Sequence, residues 1–311
     1  MTANATPLEA ARWRQIALIT LGAAALYVGF RYVPTGTNLN HMDFRVTGAN
    51  ALEFCDPSNP QFIPVVAVRS PVRMTLRPAG EVRPGETVAV TVSLATSGGK
   101  PIGPRDLNVA HTRKLHLLIV DPWLKDYQHV HPEPGEREGD WVFTFTPHGR
   151  GTYRIFADFV PVATGRSLYA SADLPVGPEQ APSISLVMQH ETSWSAVREG
   201  YRFDLAADAA PIRAGRPATL SFAITRTEGG PVPLEPVMDA FAHLVAFDEA
   251  RSGFAHLHPN EVDLAWRPDP EKPVLTFQVT FPQPGRYVIW SQVNLGGREV
   301  FAPFAFEVEE D

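Results

Sequence analysis

The chain has 311 residues, room for about two domains at roughly 150 residues each. Apolar residues make up 44% and charged residues 20%, which excludes whole-chain disorder; a net charge of −7, from 27 basic and 34 acidic side chains, argues against the basic face of a nucleic-acid binder. Thirty prolines disfavour a helical bundle and favour strands joined by turns, and the single cysteine, Cys55, excludes an intrachain disulfide and a cysteine-based zinc finger.

Residues 1–14 read as a cytoplasmic N-terminus and residues 15–33 as a transmembrane anchor. Gln15–Phe30 carries no charge, with Arg12 and Arg14 before it and Arg31 after it. Gln15–Val33 spans about 28 Å as a helix, close to a hydrocarbon core of about 30 Å, provided Arg31 snorkels. Pro34 stops the helix. The alternative is a signal peptide cleaved near Ala23-Ala24-Ala25. Both readings place the rest of the chain outside the cytoplasm, the first as a single-pass inner-membrane protein with periplasmic domains.

Residues 34–64, rich in Pro and Asn, read as a juxtamembrane linker. Its His41-Met42 and Cys55 are soft-metal ligands by type, but a linker holding three such residues is ordinarily inert. Strand signals follow: 86–96, 114–120, 140–147 and 151–161, then 218–225, 240–247, 273–281, 285–293 and 301–308. They alternate or run apolar and are punctuated by Gly and Pro.

The two halves repeat one another. His116 is matched by His243, His129-Val130-His131-Pro132 by His256-Leu257-His258-Pro259, and Gly151-Thr152-Tyr153 by Gly285-Arg286-Tyr287; the strand histidine precedes the pair by 13 residues in both halves. The predicted fold is therefore all-β, two tandem immunoglobulin-like β-sandwiches after the N-terminal helix, at residues 65–176 and 183–311.

Six of the ten histidines form two equivalent triads, His116, His129, His131 and His243, His256, His258. Residues i and i+2 of a strand share a face, and a hairpin closed by residues 121–126 sets His116 opposite His131 and His129 opposite Leu118. Three convergent imidazoles suit copper or zinc, with affinity falling below about pH 6.5, where free imidazole takes up a proton. The competing reading is structural: strand 114–120 is apolar on both faces, so His116 is equally a buried histidine bonded to backbone, in a non-catalytic envelope interaction module. Asp158 aligns with Gln292, so no carboxylate role is common to the halves, and His111 aligns with Met238, at the wrong parity for a ligand. No nucleophile elbow, phosphate-binding loop or HExxH motif occurs, so no enzyme is expected.

The segment KLHLLIVDPWLKDYQHVHPEP and the following FTFTPHGRGTYRIFADFVP resemble the YtkA-like and related immunoglobulin-like domains of exported bacterial proteins. The likeness covers residues 112–175 well and 240–308 more loosely. It is carried by His116, His129, His131, Pro132, Gly151 and Tyr153 and their counterparts His243, His256, His258, Pro259, Gly285 and Tyr287. Such domains occur beside heavy-metal P-type ATPases and copper-handling proteins. The resemblance implies export, a β-sandwich, a link to metal homeostasis and an envelope or metal-transport protein as partner.

Overall fold

The computed structural model describes residues 7–32, 61–68, 70–177 and 192–311. His41, Met42, Cys55, His190 and most of both expected linkers lie outside these residues. The chain divides into two compact units, residues 1–43 and 44–311. In the first, α1 (Pro7–Tyr32) is a continuous helix with exposed side chains from Arg12 to Gly29. It begins well before the expected Gln15, because Leu8, Glu9 and Ala10 are good helix formers and Pro7 suits a first turn. The expected transmembrane span is not recovered: among the described residues no helix is long and apolar enough to cross a membrane.

The second unit is all β. The first sandwich contains β1 (Val72–Pro78), β2 (Val88–Thr96), β3 (Leu115–Val120), β4 (Tyr127–Val130), β5 (Glu133–Pro134), β6 (Asp140–Phe145), β7 (Gly151–Phe159) and β8 (Leu168–Val176). One sheet runs β1-β2-β6-β5 and the other β4-β3-β7-β8. The second sandwich contains β9 (Ser195–Arg198), β10 (Tyr201–Ala207), β11 (Ile212–Arg213), β12 (Pro217–Arg226), β13 (Leu234–Glu235), β14 (His243–Asp248), β15 (Phe254–Leu257), β16 (Val274–Thr280), β17 (Gly285–Leu295) and β18 (Arg298–Glu309). Its sheets run β16-β12-β10-β9 and β11-β18-β17-β14-β15, with β13 beside β17. Each sandwich closes on its own core, Val90, Val92, Trp141 and Ile155 in the first and Leu220, Phe222, Phe277 and Phe304 in the second.

The apolar-on-both-faces pattern of β3 has a specific cause. Leu115, Leu117 and Ile119 fill the first core, while Leu118 and Val120 point out of the sandwich into a third apolar cluster. In β14, Leu244 and Ala246 face the second core, and Val245 and Phe247 enter that same third cluster. Phe156, Tyr127, Val288 and Trp290 complete it, so the sheets holding β3 and β14 pack on each other between the two sandwiches. Hydrogen bonds rim this joint: the Trp290 indole donates to the Leu124 carbonyl at 3.2 Å, Arg154 to the Arg251 carbonyl at 2.9 Å and Arg251 to the Thr152 carbonyl at 2.7 Å.

The repeated Gly-x-Tyr strand starts are structural. Gly151 lies at φ +102° with Pro122 so close that a Cβ would sit 2.8 Å from its ring, and Gly285 lies at φ +134°. The Tyr153 hydroxyl donates to Asp126 at 2.7 Å and accepts from the Gly149 N–H at 2.9 Å, and the Tyr287 hydroxyl donates to the Gln283 carbonyl at 3.0 Å, so each tyrosine pins the loop before its strand. His148 is held in the same corner, its backbone and ring both bonded to Asp126.

One boundary differs from the sequence reading. Residues 61–66, expected as linker and the start of the first sandwich, are paired to the second. Ile63 and Phe254 exchange backbone hydrogen bonds of 2.7 and 3.1 Å, and Val66 donates to the Ser252 carbonyl at 2.8 Å. Phe62 is buried in the second core. This strap runs directly over Gly253, where an added Cβ would lie 1.8 Å from the Ile63 carbonyl oxygen. Gly253→Ala is expected to lift the strap, cost roughly 1–3 kcal/mol and expose residues 61–68 to protease, since backbone cannot yield as a side-chain tip can. Thermal unfolding and limited proteolysis check this; an unchanged melting temperature with no new cleavage contradicts it.

Candidate metal centre

The histidines stand where β3 and β14 enter the joint. In the first sandwich Leu117 faces Val130 and Leu118 faces His129, the register that the 13-residue spacing predicts. In the second, Leu244 faces Leu257 and Val245 faces His256, the same register. Pro132 and Pro259 lie just beyond the two short strands, where a missing N–H does no harm. The outcome is that the nitrogens of His116, His129 and His131 lie within 4.8 Å of one another, and those of His243, His256 and His258 do likewise. His116 and His243 are fully buried; His131, His256 and His258 are partly accessible.

Hydrogen bonds fix which nitrogen of each ring carries the proton. His116 Nε2 bonds the Ala110 carbonyl at 2.9 Å, and His243 Nε2 bonds the Val237 carbonyl at 3.0 Å; a carbonyl only accepts, so both Nε2 atoms are protonated. Gln292 donates its amide nitrogen to the Glu299 carboxylate at 2.8 Å, which turns its oxygen to His129 Nδ1 at 2.8 Å. His256 Nδ1 faces the Asp158 carboxylate at 3.3 Å. The nitrogens left over, His116 Nδ1 and His129 Nε2, face one another at 3.2 Å, and His243 Nδ1 and His256 Nε2 at 3.3 Å. Each facing pair thus presents lone pair to lone pair. Buried His131 Nε2 and His258 Nε2 have no hydrogen-bond partner among the described residues.

Such a cluster needs a positive charge in its middle, and burial opposes supplying it as a proton. Desolvation, aided by the neighbouring imidazoles, pushes His129 and His256 well below the ordinary histidine value. Burial likewise brings His131 down to about 3 and His243 down to about 4, and lowers His116 and His258. Zinc and copper at about 2.0–2.1 Å from each imidazole nitrogen need nitrogens roughly 3.3 Å apart, which the facing pairs provide, and the third ring offers a nitrogen within 4.8 Å of both. The donor set therefore fits such an ion.

Two partners escaped the sequence comparison. Asp158 lies opposite His116 across β3 and β7, and Gln292 opposite His243 across β14 and β17, so they are true counterparts. Their hydrogen bonds cross the joint: Asp158 bonds His256 of the second sandwich and Gln292 bonds His129 of the first. His111 also belongs here. Its ring stacks on His258 with centroids 4.0 Å apart and lies 6.1 Å from His116, His243 and His256. The only sequence signal for these three was their alignment with unlike residues.

The family model described as "Domain of unknown function (DUF8832)" matches residues 67–176 and 195–310, and the chain belongs to that family, carrying the domain twice. The two matched spans coincide with the two halves of the predicted repeat. No curated protein matches the chain. Among solved structures, the chain is similar to a protein of Corynebacterium diphtheriae described as membrane anchored, at 11% identity and TM-score 0.23, covering 76% of this chain and 58% of that one. It is also similar to fibronectin(III)-like modules of Clostridium thermocellum CbhA, at 10% identity and TM-score 0.20 over 77% of this chain and 94% of that one. A DUF4785 family protein of Legionella pneumophila matches at 10% identity and TM-score 0.24, over 77% of this chain and 56% of that one. The chain thus spans little more than half the length of the first and third.

The buried imidazoles set the pH response of the fold. In the unfolded chain they take up protons below about pH 6.5, and in the folded chain His129 and His243 do not, so stability falls as pH drops from about 6.5 towards 4, by about 1.4 kcal/mol per pH unit for each such group. Asp158, raised to about 6 by burial, acts in the opposite sense, one group against several. Denaturant midpoints between pH 7 and 4.5 are expected to fall steadily; a flat profile contradicts neutral buried histidines.

Proposed function

We propose that this member of the family is an extracytoplasmic metal-handling protein that holds one transition-metal ion in each histidine triad, copper in first place. The observation that carries this is the pair of lone-pair contacts at 3.2 and 3.3 Å, each ring already committed through its other nitrogen to a backbone or side-chain acceptor. Metal-binding histidines are held in this way by their second nitrogen. Copper leads because Cu(II) stands highest in affinity for nitrogen sites among first-row divalent ions, with zinc next to it. The role is binding and transfer and involves no catalytic turnover. The resemblance of residues 112–175 to YtkA-like modules supports an envelope metal-transport protein as the partner that gives or takes the ion.

Localisation is part of the same reading. The uncharged stretch of α1, with Arg12 and Arg14 before it in the sequence and Arg31 after it, supports a membrane-seated anchor, with the sandwiches on the periplasmic side. The protein is expected to stay with membranes through an alkaline carbonate wash and to be released by deletion of residues 7–32. A soluble pool of the full chain contradicts the anchor.

Copper(II) or zinc at 100 times its dissociation constant is expected to stabilise the fold by about 2.7 kcal/mol, read as a rise in melting temperature. His116→Ala with His131→Ala should remove one bound equivalent and leave the other. Binding should change little between pH 7 and 5.5, unlike free imidazole, because burial keeps the ligands neutral. No thermal shift and no bound ion would return the histidines to a structural polar network.

A further inference from the structure

We infer that the two triads are unequal halves of one two-ion centre, and that the half built from His243, His256 and His258 is the tighter for a divalent ion. The inference rests on the reading that the triads bind metal. The halves are not separate sites on separate domains. The His129 and His256 rings lie 5.4 Å apart and His116 and His256 6.1 Å apart, centroid to centroid, across the joint between the sandwiches. Each half also borrows from the other sandwich the group that positions its middle histidine.

The borrowed groups differ in charge. His256 has a carboxylate, Asp158, hydrogen-bonded behind its Nδ1; His129 has the neutral amide of Gln292, with the Glu299 carboxylate one hydrogen bond further away, and Asp158 reaches the first half only as the cross-strand neighbour of His116. A carboxylate behind a ligating imidazole raises its basicity as a donor and places a negative charge in a poorly screened setting near the ion. A divalent ion gains more from that charge than a monovalent one. The same loop in the two halves adds a second difference. The loop residues His111 and Thr112 have φ 48° and 69°, and their counterparts Met238 and Asp239 have φ 49° and 61°, so the backbones match while the side chains do not. His111 stacks on His258 of the second half, whereas Met238 fills the matching loop position of the second sandwich with a thioether, a soft donor suited to Cu(I).

The test uses the full chain in detergent, with zinc and Cu(II) titrated against competing chelators. His116→Ala/His131→Ala leaves the second half alone, and His243→Ala/His258→Ala leaves the first. The second half is expected to hold zinc 10- to 100-fold more tightly, and Asp158→Asn to remove that advantage, with the larger loss of affinity in the second half, matching the usual effect of losing such a supporting group. Asp158→Asn in the otherwise intact chain gives a near-isosteric check that avoids the double variants: a stepwise titration should merge into one step. Loaded with two Cu(II), the chain should give an electron paramagnetic resonance spectrum broadened by dipolar coupling. Equal affinities, an Asp158→Asn chain that titrates like the parent, or two magnetically isolated ions would overturn the inference while leaving metal binding intact. A chain that takes up no ion at all would overturn the parent reading and this one together.

Discussion

The architecture turns on one constraint: in each sandwich, one sheet has two apolar faces and only one core of its own to fill. Leu118, Val120 and Phe156 on one side, and Val245, Phe247, Val288 and Trp290 on the other, lie outside the core of their own sandwich. Fully burying a side chain of this size is worth about 1.5–3 kcal/mol, so leaving either face in water would offset much of a domain's net stability. Stacking the two sheets on each other satisfies both at once. It also brings the ends of β3 and β14 together, and with them the histidines. The joint comes first in the physical order, and the centre is what its geometry permits.

Burying six imidazoles beside that joint is costly unless the rings stay uncharged, and four of them are also tethered. The tethers come from backbone carbonyls that each strand's own preceding loop supplies, Ala110 and Val237, and from side chains that cross the joint, Asp158 and Gln292. Because each crossing runs from one sandwich to the other, neither triad is complete without the opposite domain. Duplication supplied the symmetry; divergence at Asp158/Gln292 and His111/Met238 then broke it where the chemistry is most sensitive to charge and softness.

Much of this was legible in the residues. The 13-residue spacing and the HxHP pairs fixed the hairpin register, because a strand repeats every two residues and proline ends its ladder. The repeat was plain from paired motifs. What the sequence could not supply was the surface against which β3 packs its second face: alternation tells that a face is buried, never what buries it. The same blindness hid the roles of Asp158 and Gln292. Compared position by position within one domain, an Asp aligned with a Gln looks like a lost function; only the crossing of contacts between domains shows that each works for the other's histidine. His111 was set aside on strand parity, yet it sits in a left-handed turn where parity does not apply. The strap at residues 61–66 was missed because a short segment bonded edge-on to another domain needs no internal periodicity.

That strap has a mechanical consequence. The polypeptide arriving from residue 60 meets the second sandwich before it builds the first, and its hydrogen bonds to Phe254 and Ser252 join it to the edge beside β15, the strand that carries His256. Tension drawn along the N-terminal stretch is therefore delivered first to that edge, next to a histidine of the second triad, and reaches the first domain only after the strap has peeled away.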